Sequence, residues 1–391
     1  MKKLRLIPIG FLVFSLAATG TILTCAYAGF FGARENPNSE TKMMSGLILD
    51  ATNTAAGVVV AESPEASSSG SSKPVEAKLQ AEATFIAVGD IMLSRNVAAK
   101  IKKHSDFGYP FASTSVMLRG ADFAFGNLES PITPGPTVPT GSFTFHADPG
   151  VEKALATANF KILSLANNHL PNYGRKGIED TIKYLGAAGI AHTGAGKDLA
   201  EASAPALFEI KGIKFAFLAY NDSDVVPPGY GAADGRAGTA LMDIKNMQTA
   251  VSSVKQQADF VIVSMHSGSE YTEEITKSQT EFARAAVDAG AELVLGHHPH
   301  VTQRVERYKD KYIFYSLGNF IFDQMWSEET RRGAAVKFYF RRTGLLRAEV
   351  MPTRIMDYAR PVLAEQKTAE EIFARLRIKQ TDGLVTLVTA D

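Results

Sequence analysis

The sequence predicts an α/β domain with substantially parallel strand pairing. Between residues 83 and about 357, short apolar runs that end in Gly, Asp, Asn or His alternate with amphipathic helical segments. At least seven such runs fall in that span with no internal repeat, which favours one large domain over two. The composition agrees, because 45% hydrophobic and 21% charged residues are ordinary for a globular chain of 391 residues.

The chain opens on "MKKLR", then on "LIPIGFLVFSLAATGTILT" without a charge, then on "AYA" at 26–28. A basic start, an apolar run and a small-x-small site read as a secretory signal peptide or an uncleaved signal anchor over 1–28. The run is about 20 residues, the length a bilayer span needs. Basic residues before it stay cytoplasmic, so the rest of the chain is expected outside the cell. It is anchored to the membrane facing outward, or secreted if the leader is cleaved. The single cysteine, Cys25, lies in this leader, so no disulfide framework is expected beyond it. Residues 29–82 include "ESPEASSSGSSKPVEAK", too poor in apolar surface to fold, and read as a flexible linker. The formal net charge is zero, and removing 1–28 takes away Lys2, Lys3 and Arg5 and no acid, leaving −3. That balance argues against a nucleic-acid partner.

Order begins at "ATFIAVGDIML" (83–93), a strand followed by helical spacing in "SRNVAAKIKKH". "ADFAFGNLES" (121–130) and "FKILSLANNH" (160–169) are strands, and "GRKGIEDTIKYLGAAG" (174–189) is a helix with a glycine stop. "KFAFLAYND" (214–222) and "ADFVIVSMHSGSEY" (258–271) are strands, "TKSQTEFARAAVDAG" (276–290) a helix, and "AELVLGHHPH" (291–300) a strand. "YIFYSLGNFIF" (312–322) is a strand with a Gly-Asn break, and 333–357 an antiparallel pair around "RRTG". The folded body is expected over 83–360. A C-terminal helix and tail over 361–391 follow, with the helix in "TAEEIFARLRIKQ" (368–380).

The chemistry-bearing residues collect just after the apolar runs: Asp90, Asn127, Glu129, Asn167, Asn168, His169, Asn221, Asp222, His266, His298 and His300. In a parallel sheet the C-terminal strand ends share one edge, where ligands bind. "GHHPH" places three of only eight histidines in five positions, and His298 and His300, across Pro299, could both face one ion. His297, Glu270 and Asn319 stand beside these runs as further rim candidates. Carboxylates, amide oxygens and imidazoles without thiolates suit Mn, Fe, Zn or Mg. Six or seven such groups exceed what one ion needs, and two-metal sites serve phosphate-ester hydrolysis.

The order "GD … GNLE … NNH … H … GHHPH" resembles the calcineurin-type metallophosphoesterase signature. More closely, "VGDIMLSR", "GNLESPIT", "LANNHLPNYG", "HSGSEY", "GHHPHVTQ" and "YSLGNFIFDQ" resemble the bacterial capsule-synthesis CapA family, accessory proteins of poly-γ-glutamate synthesis. The resemblance runs from about 84 to 325. It implies a four-layer α/β/β/α sandwich of the metallophosphoesterase type, with the site at the sheet edges. It implies divalent metal ions, one or two, expected to be Mn, Fe or Zn, held by Asp90, Glu129, Asn168, His266, His298 and His300. His169 is the matching proton donor, and Asp90 stands with it as a catalytic candidate. The implied partners are membrane capsule-synthesis proteins and an anionic polymer or phosphate-ester substrate.

The sequence departs from the phosphoesterase pattern at three places. Met92 stands where the first histidine would be, Asn127 where an aspartate would be, and Leu170 where an acid would orient His169. Three readings follow: a metal-dependent hydrolase or transferase acting on a capsular polymer, a non-catalytic component of a membrane synthesis complex, or a general secreted metallophosphodiesterase.

Overall fold

The computed structural model describes residues 81–381 and 384–386. The expected leader, and the expected linker as far as residue 80, lie outside the described residues. In chain order the main elements are β1 (Ala83–Ile91), α1 (Arg95–His104), α2 (Ser115–Arg119), β2 (Phe123–Leu128), α3 (Val151–Thr157), β3 (Phe160–Ser164), α4 (Gly174–Ala187) and β4 (Ala191–Thr193). Then come β5 (Ala206–Ile210), β6 (Ile213–Asn221), α5 (Ile244–Val254), β7 (Phe260–His266), α6 (Lys277–Ala289), β8 (Leu293–His297) and β9 (Thr302–Tyr308). The chain continues through β10 (Lys311–Leu317), β11 (Asn319–Ile321), β12 (Arg332–Arg341), β13 (Gly344–Met356), β14 (Arg360–Leu363) and α7 (Gln366–Leu376).

Two sheets form. The first runs β14-β13-β12-β1-β2-β3-β4, with β11 also pairing with β1, and the second runs β9-β10-β8-β7-β6-β5. In the first, β1 to β4 and β11 are parallel and β12 to β14 antiparallel. In the second, β6, β7, β8 and β10 are parallel and only the edge strands β5 and β9 run against them. The central strands are buried on both faces, which is why they read as continuous apolar runs rather than alternating ones.

The sheets pack on each other through a phenylalanine-rich core that includes Phe85, Phe125, Phe217, Phe314 and Phe338. The Phe85 ring stacks on Phe123 at 5.3 Å and meets Phe217 edge-on at 5.7 Å. Such pairs add about 0.5–1.5 kcal/mol each beyond the area they bury. Val97 and Ile101 of α1, Leu155 of α3, and Ile178 and Leu185 of α4 cover the outer face of the first sheet. Met247 and Val251 of α5, and Phe282 and Ala286 of α6, cover the second. The result is the four-layer α/β/β/α sandwich.

Local chemistry sets the helix ends. Thr276 and Gln279 form a reciprocal capping box at the start of α6, and the left-handed Gly290 stops it. Asp243 caps α5 by accepting from the Asn246 N–H. The C-terminal helix spans Gln366–Leu376 rather than 368–380. Arg377 turns left-handed there, and Lys379–Thr381 then pairs with Leu384–Thr386. Ile372, Phe373 and Leu376 join the inter-sheet core, so the folded body continues past residue 360.

Two glycines let the backbone close up just before the rim. A Cβ on Gly89 would sit 1.8 Å from the Gly318 carbonyl oxygen, and one on Gly296 would sit 2.0 Å from that of Tyr315. Each immediately precedes a site residue, Asp90 or His297, so both are drawn tight against the neighbouring strand.

Candidate metal centre

The C-terminal ends of the parallel strands in both sheets open on one edge. Strand register brings the polar residues level. Asp90 lies opposite Asn127 on β2 and Asn319 on β11, and His266 lies opposite His297 on β8 and Asn221 on β6. Asp90, Asn127, Glu129, Asn167 and Asn319 are fully buried; His266, His297, His298 and His300 are buried, and Asn168 is half-buried.

Asp90, Glu129 and His300 offer ligand atoms that all lie within 4.8 Å of one another, a group that could hold a metal ion. Two features suit it to a divalent cation. The Glu129 Oε1 atom is buried with no hydrogen-bond partner. It lies 3.9 Å from His300 Nε2 and 4.0 Å from His169 Nε2, separations that bonds of about 2.0–2.2 Å to a shared ion can span. His300 is also set up from behind. Its Nδ1 lies 3.0 Å from Asn319 Oδ1, while the Asn319 amide nitrogen donates to Gln324 Oε1 and the Thr330 carbonyl. Asn319 therefore accepts from Nδ1–H, which leaves the lone pair on Nε2 facing Glu129.

A second group lies alongside. His266 Nε2 is 3.1 Å from both Asn168 Oδ1 and His298 Nδ1. The backbone at His298 (φ 99°) and His300 (φ 58°) is left-handed, and this turns the two rings apart, with centroids 6.0 Å from each other. His300 joins Asp90 and Glu129, whereas His298 joins His266.

Burial governs the electrostatics. Burial pushes Glu129 well above the usual carboxylate range, and the nearby charges of Asp90 and Glu270 add to the rise. Burial also opposes the charge on Asp90. The nearby charges of His297 and His300, with the hydrogen bond from the Asn127 amide, outweigh it and hold Asp90 below its ordinary value. Burial drives His298 down to about 3 and His169 down to about 4, and it drives His266 well below the ordinary imidazole value.

Other candidates take different places. Asn167 donates to the Leu128 carbonyl and to Asn127 Oδ1 and accepts from the N–H groups of His169 and Leu170, so it braces the turn. Asn221 donates to Thr239 Oγ1, and Asp222 accepts from Ser267 and Ser278. Asn319 stands behind His300. His297 Nδ1 lies 3.3 Å from Asp90 Oδ1, and both its ring nitrogens lack hydrogen-bond partners. Glu270 is exposed. Met92 is buried in the core cluster of the first sheet and its covering helices.

Several contributors are not among the candidates singled out from the sequence. Asn172 Oδ1 accepts from the Phe145 N–H and lies 3.1 Å from His169 Nδ1, which places an acceptor where an acid was missing. Phe145 stacks on His169 with centroids 3.9 Å apart. The Arg95 guanidinium lies over the other partner of that stack, 4.5 Å from the Phe145 centroid, and pairs with Asp323. Tyr271 stacks on His300 at 5.8 Å and meets the exposed Trp326 edge-on.

Comparison with known proteins adds a lineage to this geometry. The model of the family "Bacterial capsule synthesis protein PGA_cap" matches residues 84–324. The capsule biosynthesis protein CapA of Bacillus anthracis is 34% identical over 292 residues, covering 73% of this chain and 70% of that protein. The PGA biosynthesis protein CapA of Bacillus subtilis (strain 168) is 35% identical over 273 residues, covering 69% and 71%. Among solved structures, a 5'-nucleotidase from Candida albicans SC5314 aligns with a TM-score of 0.40 and 9% identity, covering 75% of this chain and 58% of that one. The chain belongs to the bacterial capsule synthesis protein family.

Proposed function

We propose that this protein acts in the synthesis, export or attachment of a capsular polymer of the poly-γ-glutamate type, through a hydrolase- or transferase-like site that uses a divalent cation. The buried Asp90–Glu129–His300 group, with an unpaired carboxylate oxygen at its centre, carries the reading. Membership of the capsule synthesis family supports the polymer. The expected N-terminal segment supports a body held outside the membrane beside membrane capsule-synthesis proteins.

Asp90, Glu129 and His300 would hold the cation, which would supply Lewis-acid chemistry when bound. The protein's own groups do the rest. His169 directs Nδ1 at Asn172 Oδ1 and Nε2 at the Glu129 side of the site. With its pKa lowered to about 4 it rests neutral at pH 7, so Nε2 first takes a proton and acts as donor only afterwards. Phe145 holds that ring flat from one side. Exposed Phe143, Tyr271 and Trp326 supply apolar surface for the substrate's uncharged backbone.

The test uses the full chain. Purified protein should contain Mn, Fe or Zn, and His300→Ala and Asp90→Ala should lose it. Neither variant should restore polymer to a strain lacking this protein. Restoration by a metal-free variant would instead establish the non-catalytic role, and an absence of metal from every sample would remove the cation from the reading.

A further inference from the structure

The two donor groups of the rim are not equivalent, and the difference traces to one amide. Asn167 has a single possible orientation, because its Nδ2 gives to the Leu128 carbonyl at 2.8 Å and its Oδ1 takes from the His169 and Leu170 N–H groups at 3.1 and 2.8 Å. Its remaining amide hydrogen points at Asn127 Oδ1, 3.0 Å away. That contact in turn orients Asn127, whose NH2 group faces the site. One of its hydrogens goes to Asp90 Oδ1 at 2.8 Å, and the other is shared between His266 Nδ1 at 3.3 Å and Glu129 Oε2 at 3.4 Å. Rotating Asn127 would set its oxygen against the Asp90 carboxylate and its NH2 against that of Asn167, all in full burial.

A donor aimed at His266 Nδ1 requires a lone pair there. A neutral imidazole then carries its hydrogen on Nε2. That N–H points between Asn168 Oδ1 and His298 Nδ1, both 3.1 Å away, and an N–H does not ligate a cation. Moving the hydrogen to Nδ1 would set two donors against each other at 3.3 Å. The group around His266 also contains no carboxylate, whereas Asp90 and Glu129 both face the neighbouring position.

We propose that the site takes one cation per chain, at Asp90–Glu129–His300, and that Asn127, oriented by Asn167, closes the second position by holding His266 with its hydrogen on Nε2. This rests on the cation reading given above.

The experiment counts ions on the full-length chain. Metal-free protein is equilibrated with Mn2+ by dialysis and its bound metal measured, for the wild type and for Asn127→Asp. The new carboxylate would accept from His266 Nδ1–H and free Nε2. One Mn per wild-type chain and two per N127D chain are expected. Two in the wild type, or one in a folded N127D, overturns the proposal. None in the wild type overturns the cation reading and the proposal with it. Should N127D fail to fold, nitrogen NMR of histidine-labelled wild-type protein, assigned with His266→Gln, decides instead. A hydrogen on His266 Nε2 supports the proposal, and one on Nδ1 overturns it.

Discussion

The strand ends of the first sheet deliver Asp90, Asn127 and, just beyond, Glu129, whereas those of the second deliver His266, His297, His298 and His300. At the cation position one side brings carboxylates and an amide and the other an imidazole, while His169 follows β3 of the first sheet. Neither sheet alone assembles the Asp90–Glu129–His300 group. The difference teaches that the site is a property of the sheet interface, so the core that joins the sheets and the residues that face each other across it should fail together.

The largest effect should come from the joining core. Phe85→Ala empties a fully buried position ringed by Phe123, Phe215, Phe217, Phe338 and Phe340, and should lower unfolding free energy by about 3–5 kcal/mol in urea titrations. Next, Asp90→Asn and Glu129→Gln should each weaken Mn2+ binding more than ~100-fold, about 2.7 kcal/mol, measured by calorimetric titration. Asn319→Ala, which touches only the back of His300, should weaken it roughly 10–100-fold, because positioning partners act at that scale.

Buried groups of the rim should also titrate in opposite directions. His266 and His298 have lowered pKa values, so below about pH 6.5 the unfolded chain takes up protons that the fold refuses. Their stabilisation is present above that pH and is lost as the pH falls from 6.5 towards 3. Glu129, with a raised pKa, does the reverse. Its contribution is present below pH 4.5 and is lost as the pH climbs through its folded-state value. In metal-free protein, Glu129→Gln should therefore remove the alkaline-side loss of melting temperature and leave the acid-side loss in place, with a slope of at most about 1.4 kcal/mol per pH unit and group. The smallest effect belongs far from the interface. Arg175→Ala breaks an exposed i,i+4 pair with Glu179 and should change stability by less than about 0.5 kcal/mol.

Much of this was legible in the sequence, and for one reason. Strands buried on both faces announce themselves as unbroken apolar runs, and the first polar residue after each run marks the rim. Asp90, Asn127, His266 and "GHHPH" were found that way. Edge strands gave weaker signals. "TQRVERY", now β9, alternates too little to stand out, and its partner is β10 alone in an antiparallel edge pair. The division of the strands between two sheets was not readable from the runs themselves, because inner strands of either sheet look alike. Nor was the orientation of Asn127, which depends on Asn167 forty positions away and, through it, on three backbone groups. Asn172 is not an acid and does not announce itself as a partner of His169, although only an acceptor oxygen is needed beside His169 Nδ1.

The Gly-Asn break at 318–319 leads further. The run 311–321 begins as a strand of the second sheet and, after Gly318, ends as a strand of the first. One stretch of chain is thus stitched into both layers, and Asn319 stands just past the stitch, bonded to His300. Sliding one layer over the other by a single residue would pull this segment in two directions at once and strip the acceptor from His300. The cation pocket thereby acts as a shear pin, and its ligand geometry should be among the first properties to change under mechanical load applied across the two layers.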